Sequence, residues 1–277
     1  MNTSIYYFSG TGNTLKVAES LKNELILLGQ QVSLIDIAST KDIIQNDTMV
    51  IAYPVYGFNP PKNVIDFVRA LPNGSQKVYF LKTSGEPLHL NDASSLALIK
   101  MLERKGYIIC GEYHYIMPYN MIFRHSDSLA SKMLITAKER LKVVAQEIDE
   151  GRRRPILMPL RARFMRVVCK IEHKGMALNG MLYKVNKNKC INCNKCVRLC
   201  PNKNITIKNG KFVFGSNCLG CARCSFQCPT DAINTGLLNF LKVNGSYNFD
   251  ADPSIAELPK FCRKSYQRYF DVENHLD

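Results

Sequence analysis

Short apolar runs alternate with stretches of helical spacing across the first half of the chain. Ile5-Tyr6-Tyr7-Phe8, Val32–Ile37, Met49–Tyr53, Lys77–Thr83 and Tyr107–Met117 are β-prone runs bounded by turn residues. Between them, the stretches Leu15–Leu21, Pro61–Leu71, Asn91–Lys105 and Ser126–Glu150 place apolar residues three and four apart, as helices with one buried face do. Pro61 suits a first helical turn, and Asn91 or Asp92 suits an N-cap. Strands alternating with helices over residues 1–150 predict an α/β domain with a doubly wound, five-stranded parallel sheet. Such sheets bind ligands at the carboxyl ends of their strands, where the strand order reverses.

After Glu150 the pattern changes. Residues 151–182 read as a basic amphipathic connector that opens Gly151-Arg152-Arg153-Arg154-Pro155. In it Arg161, Arg163, Arg166, Lys170 and Lys174 are interleaved with Leu160, Phe164, Val167, Val168 and Ile171. The first expectation is a helix that packs its apolar stripe on the preceding domain and leaves its basic face solvated. Docking of an acidic partner protein is the second reading, and an anionic lipid or nucleic-acid surface the third. No zinc-finger or aromatic-rich signature favours specific nucleic-acid binding.

Residues 183–235 form a separate, cysteine-rich stretch. Its hairpin Ile205–Phe214 turns at Asn209-Gly210, and Ala232-Ile233-Asn234 is expected to return as the hairpin's counterpart. The tail, 236–277, carries Pro253, Pro259 and the late aromatics Tyr266, Tyr269 and Phe270, and is expected to pack over the domains.

The net charge of +14 resembles a nucleic-acid signal until it is divided along the chain. Residues 1–150 carry fifteen basic and fifteen acidic side chains, and residues 151–189 carry eleven basic and one acidic. The excess is therefore concentrated in the connector. No apolar run reaches the roughly eighteen residues of a membrane span. Met1–Phe8 enters a strand at once, without the regions of a signal peptide. The expected location is cytoplasmic, in an oxygen-poor cell.

Eight of the eleven cysteines fall in one motif that occurs twice. The first copy is Cys190-x2-Cys193-x2-Cys196-x3-Cys200-Pro201 and the second is Cys218-x2-Cys221-x2-Cys224-x3-Cys228-Pro229. Two-residue gaps let a short loop wrap three thiolates around one cubane, and the proline fixes the backbone after the fourth. Structural zinc is the competing reading, but it usually pairs two CxxC knuckles or adds histidines, and only His173 is near. A disulfide framework does not suit a long chain that lacks a secretory signal. Cys110, Cys169 and Cys262 are left over, and His89, His114, His125, His173 and His275 form no ligand set. Lys195, Arg198 and Arg223 stand near the motif cysteines, either to favour reduced clusters or as surface charge.

A second motif follows the first strand. Ser9-Gly10-Thr11-Gly12-Asn13-Thr14 is a loop of small and hydroxyl residues before a helix, where free N–H groups and the helix dipole favour an anion. It is neither a Walker loop nor GxGxxG. Without a basic residue it suits a flavin monophosphate better than a nucleoside triphosphate. A plain turn and N-cap is the competing reading.

On these residues the chain resembles the flavodoxin–ferredoxin fusion proteins of anaerobic bacteria and archaea. Residues 1–150 resemble a flavodoxin and 183–235 a bacterial two-cluster ferredoxin, which implies a small α+β domain there. The resemblance implies FMN and two [4Fe–4S] clusters in a crossed arrangement. Cys190, Cys193, Cys196 and Cys228 would hold one cluster, and Cys218, Cys221, Cys224 and Cys200 the other. It implies that Ser9, Gly10, Thr11, Gly12, Asn13 and Thr14 hold the phosphate. Tyr53, Pro54, Val55, Tyr56 and Gly57 would flank the ring on one side, and Ser84, Gly85 and Glu86 on the other. Tyr56 or Phe58 could stack on it. Flavodoxins tend to be acidic on their docking face, whereas this domain is charge-neutral with Glu86 the one acid of its second ring loop. The implied role is an electron carrier that couples two-electron and one-electron redox partner proteins. Two rivals are a flavin-dependent oxidoreductase acting on NAD(P)H or a small substrate, and a ferredoxin whose flavodoxin-like domain is a flavin-free docking module.

Overall fold

The structure, a computed structural model, describes residues 1–40, 43, 44 and 46–271; His275 and the end of the expected tail fall outside this range. Strands β1 (Asn2–Tyr7), β2 (Gln31–Asp36), β3 (Thr48–Pro54), β4 (Lys77–Ser84) and β5 (Ile108–Ile116) form one parallel sheet in the order β2-β1-β3-β4-β5. The alternation of side chains along each strand separates two cores. On one face Ile5, Val50, Ala52 and Leu81 meet α1 (Asn13–Leu27) and α4 (Asp127–Asp149). On the other, Tyr6, Ile51, Tyr53 and Phe80 meet α2 (Lys62–Ala70) and α3 (Leu96–Glu103). This is the expected α/β sheet, and the reversal of strand order lies beside β1 and β3.

One helix starts later than its spacing predicts. Asn91 does not cap it: the Asn91 carbonyl accepts from the buried Lys82 ammonium at 3.0 Å, and its amide donates to Ser84 Oγ at 2.8 Å. Lys82 is paired in turn with Glu112 on the neighbouring strand, and Ser95 donates to the same carboxylate. A buried charge pair needs this full set of partners, so residues 91–95 stay as turns and α3 begins at Leu96.

Beyond α4 the chain runs back along the sheet edge. Arg154 makes a forked ion pair with Glu147, which also accepts from Tyr113, and the Arg154 N–H reaches the Cys110 carbonyl at 2.8 Å. Helix α5 (Leu160–Val168), a short 3-10 turn (Cys169–Ile171) and α6 (Glu172–Met181) follow. The expected packing of the apolar stripe is overturned. Leu160, Phe164, Val167, Val168 and Ile171 all face solvent. The helix is held by its opposite side, where Ala162 is buried and the Arg166 carbonyl accepts from Asn59 Nδ2 at 3.1 Å.

In the cysteine-rich part, β6 (Lys184–Val185) pairs antiparallel with β9 (Ile233–Asn234). The expectation that Ala232-Ile233-Asn234 returns to the hairpin is therefore corrected: Ile233 pairs with Val185. The hairpin itself is β7 (Ile205–Lys208) with β8 (Lys211–Phe214), and Asn209 and Gly210 turn it with φ of 48° and 70°. Two short helices, α7 (Lys195–Leu199) and α8 (Arg223–Phe226), each begin one residue before the third cysteine of a motif copy. In the tail, α9 (Arg263–Phe270) buries Tyr266 and Tyr269 against Ile116, Leu129 and Met133.

Candidate functional site

A cavity of about 510 Å³ opens at the carboxyl ends of β1, β3, β4 and β5. The loop after β1 contributes Ser9, Gly10, Thr11, Asn13 and Thr14. Gly12 caps α1 in the left-handed region at φ 109°, and no side chain caps the helix, so its first N–H groups have no side-chain acceptor. Ser9 Oγ accepts from the Gly12 N–H at 3.1 Å, and Thr14 Oγ1 meets Thr83 Oγ1 at 2.7 Å. The loop thus keeps its shape through its own hydroxyls and presents a helix N-terminus, the arrangement an anion needs. A Cβ on Gly12 would touch nothing within 4 Å, so the backbone lies open. The monophosphate and flat apolar ring of FMN fit this combination of helix N-terminus and largely apolar cavity.

The loop after β3 lines the cavity with Pro54, Val55, Tyr56, Gly57 and Phe58. Tyr53 does not reach it. Tyr53 is fully buried on the opposite face of the sheet, beside Phe80, because successive strand residues alternate. The loop after β4 brings Ser84, Gly85 and Glu86 to the wall. The Glu86 carboxylate is engaged locally, accepting from the N–H groups of Leu88, Leu90 and Asn91. Ser84 Oγ meets His114 Nε2 at 2.8 Å, a pair the sequence did not suggest. Ser84 Oγ also accepts from the Glu86 N–H and Asn91 Nδ2, which engages both its lone pairs. Burial holds the His114 imidazole well below its ordinary pKa, so the ring is neutral and can accept.

A third wall carries no sequence motif. Met117–Ile122, after β5, lines the cavity, with Asn120 Nδ2 donating to Thr11 Oγ1 at 3.1 Å and Asn13 Nδ2 to the Pro118 carbonyl at 2.8 Å. Tyr119 stacks on His125 at 5.4 Å between ring centres and 8° between planes. Its ring lies so near Gly85 that a Cβ there would stand 2.8 Å away. Only the position of this loop after the last strand could have marked it.

The cavity is closed from the cysteine-rich side. Met176 of α6, Leu219 and Gly220 of the second cysteine motif, and Leu238 and Leu241 complete its lining. Arg223, which the sequence offers as surface or tuning charge, also grips the phosphate-type loop. Its guanidinium donates to the carbonyls of Ser9, Gly10 (3.0 Å) and Leu199 (3.1 Å). The Tyr56 hydroxyl is buried in the same seam, where a Cβ on Gly10 would strike both it and the Cys221 carbonyl.

The eight motif cysteines are gathered in two sets. Cys190, Cys193, Cys196 and Cys228 line one small cavity, and Cys200, Cys218, Cys221 and Cys224 line another. Each set takes three thiols from one copy of the motif and one from the other. The two copies share their backbone. Asn192 and Gly220, Asn194 and Ala222, and Lys203 and Asp231 all have positive φ at equivalent places. Left-handed geometry costs a non-glycine residue about 1–2 kcal/mol, and such residues concentrate where a site imposes the turn. The N–H groups of Asn204 and Ala232 each lie 3.2 Å from the crossing sulfurs of Cys200 and Cys228. Burial pushes Cys221 up to about 11 and raises Cys218, Cys224 and Cys196. Bare thiols here hold their protons, and a metal centre must displace them. Soft thiolates in sets of four with backbone N–H donors to sulfur fit iron–sulfur clusters.

Residues 4–87 match the flavodoxin domain family, and residues 183–235 match the 4Fe–4S dicluster domain family. Similar solved structures include a short-chain flavodoxin associated with a non-canonical PDU bacterial microcompartment, at 17% identity, with a TM-score of 0.42. That match covers 54% of this chain and 97% of the other. The flavodoxin of Streptococcus pneumonia TIGR4 matches at 17% identity over 54% of this chain and 99% of its own, with a TM-score of 0.42. Flavodoxin 1 from Bacillus cereus matches at 16% identity over 54% and 98%, with a TM-score of 0.40. None of the curated proteins matches. The flavodoxin domain implies FMN and the dicluster domain implies iron–sulfur clusters; the chain thus has the make-up of a flavodoxin–ferredoxin fusion, with an electron-transfer role that involves both.

Proposed function

We propose that the chain is an internal electron relay between one FMN and two [4Fe–4S] clusters, with the set Cys200, Cys218, Cys221 and Cys224 next to the flavin. The observation that carries this reading is the shared wall: Leu219 and Gly220, between Cys218 and Cys221, line the flavin-type cavity. When bound, FMN exchanges electrons singly or in pairs and each cluster exchanges one, so joining them couples two-electron to one-electron partners.

The chain's residues bind, orient and shield. Ser9–Thr14 hold the phosphate through N–H groups and hydroxyls, and the loops at Pro54–Gly57, Ser84–Glu86 and Met117–Ile122 enclose the ring. Leu219, Leu238 and Leu241 exclude water from the seam. Arg223 keeps the two sites in register through the Ser9 and Gly10 carbonyls. Cys221 is buried, whereas Cys193 of the other set is exposed beside Ile191 and Arg198. The outer set therefore faces one-electron partner proteins, with basic residues around it favouring an acidic docking surface.

The test is anaerobic purification with iron, sulfide and flavin quantified per chain, then a reductive titration. About eight irons and one FMN are expected for two cubanes and a flavin. Eight irons with no flavin, even after FMN is supplied, would reduce the protein to a ferredoxin with a flavodoxin-shaped adaptor.

A further inference from the structure

The connector carries an outward apolar stripe. Leu160, Phe164, Val167, Val168 and Ile171 are 81%, 66%, 64%, 52% and 75% exposed. Their spacing puts them on one side of α5 and the turn that follows it. Isolated exposed apolar residues need no explanation, but five at helical spacing make a continuous strip. The strip is not left over from poor packing, because the same helix buries Ala162 and anchors through the Arg166 carbonyl on its other side.

Cations flank the strip. Arg161, Arg163 and Lys170 are exposed, and among the described side chains none of them is ion-paired. The arginines nearer the sheet differ, since Arg152 and Arg154 are held by Glu147 and Glu150. Residues 151–189 hold eleven basic side chains against one acidic. The strip's side chains stand out from α5 and its following turn, and none of them lines the three cavities described above. An apolar row flanked by unpaired cations is complementary to an anionic bilayer, whose acyl boundary takes the apolar side chains while its headgroup phosphates meet the cations.

We propose that α5 with its following turn is an interfacial helix that docks the protein on an anionic lipid surface. Leu160, Phe164, Val167, Val168 and Ile171 enter the acyl boundary, and Arg161, Arg163 and Lys170 meet the headgroup phosphates. This does not require the relay proposed above, since it uses none of the residues that line the cofactor cavities.

The test is flotation of the full, cofactor-loaded chain with vesicles of phosphatidylcholine mixed with phosphatidylglycerol, against phosphatidylcholine alone. The expected result is binding to the anionic vesicles that weakens in high salt. Arg161→Gln with Arg163→Gln should lower partitioning on the order of thirtyfold. Phe164→Ser with Ile171→Ser should lower it on the order of a hundredfold. Iron content and visible spectrum of the variants should be unchanged, because every substituted side chain is exposed. Binding to neither vesicle would overturn the proposal, as would equal, salt-insensitive binding to both. A wild-type dimer that Phe164→Ser renders monomeric, with no vesicle binding, would assign the strip to a second copy. Retention on soluble polyglutamate but not on vesicles would assign it to an acidic protein.

Discussion

Cys221 lies against Gly10. A Cβ added to Gly10 would stand 2.7 Å from the Cys221 carbonyl oxygen and 3.3 Å from the Cys221 Cβ, with the Tyr56 hydroxyl 2.4 Å away. The tyrosine tip can move, but the backbone carbonyl moves only with the whole cysteine loop. Gly10→Ala should therefore destabilise the seam by roughly 1–3 kcal/mol, the usual penalty of overpacking. FMN affinity should fall with it, by fluorescence titration, while total iron stays constant. Unchanged FMN affinity would mean that the cysteine loop does not shape the flavin site.

Arg223 is predicted to be irreplaceable by lysine. Its fork reaches three carbonyls, two on the phosphate-type loop and one at Leu199. An ammonium is a point donor that cannot span them. Arg223→Lys and Arg223→Ala should both weaken the seam, by roughly 1–3 kcal/mol, measured by chemical unfolding. Limited proteolysis of the connector should accelerate in both. If lysine restores the wild-type midpoint, charge alone holds the seam.

The two cysteine sets make a crossed prediction. Cys200→Ser and Cys228→Ser should each lower iron from about eight to about four per chain. Only Cys200→Ser should remove the cluster beside the flavin and so relieve quenching of flavin fluorescence, although Cys200 belongs to the first motif. Relief in Cys228→Ser instead would reverse the assignment of the sets.

His125 gives the pH dependence. It is buried, and burial lowers its imidazole from 6.5 to about 4. The Tyr119 N–H donates to His125 Nδ1, which leaves the other nitrogen protonated and facing the Tyr266 hydroxyl. Because the unfolded chain takes up the proton first, stability is fully present above about pH 6.5 and declines towards pH 4, by roughly 3 kcal/mol in all. Unfolding midpoints of wild type and His125→Gln, compared across that window, isolate this contribution from the acid lability common to both. Parallel slopes would exclude it.

Much of this was legible in the sequence, and the failures share a cause. The strands, the phosphate-type loop and the doubled cysteine motif are local signals, fixed by alternation, glycine and spacing over a few residues. Asn91 looked like a helix cap because nothing nearby shows that Lys82 and Ser84 would claim it. Tyr53 looked like a cavity residue until the strand register turned it to the far core. The loop at Met117–Ile122 has no motif, and it is held from a distance by Tyr247, which donates to the Tyr119 carbonyl at 2.6 Å. The stripe of α5 was visible but its direction was not, since amphipathic spacing does not say which side meets the protein.

The wall shared through Leu219 and Gly220 also bears on how the molecule is built in the cell. In the proposed relay that wall belongs to a loop whose cysteines wrap a cluster, so it should take its final form only once iron and sulfide have been delivered. Flavin retention then becomes a read-out of cluster maturation: iron-starved chains should shed FMN even when riboflavin supply is ample. Flavin content measured across preparations of graded iron content should rise with iron, making the two cofactors a single checkpoint in biogenesis.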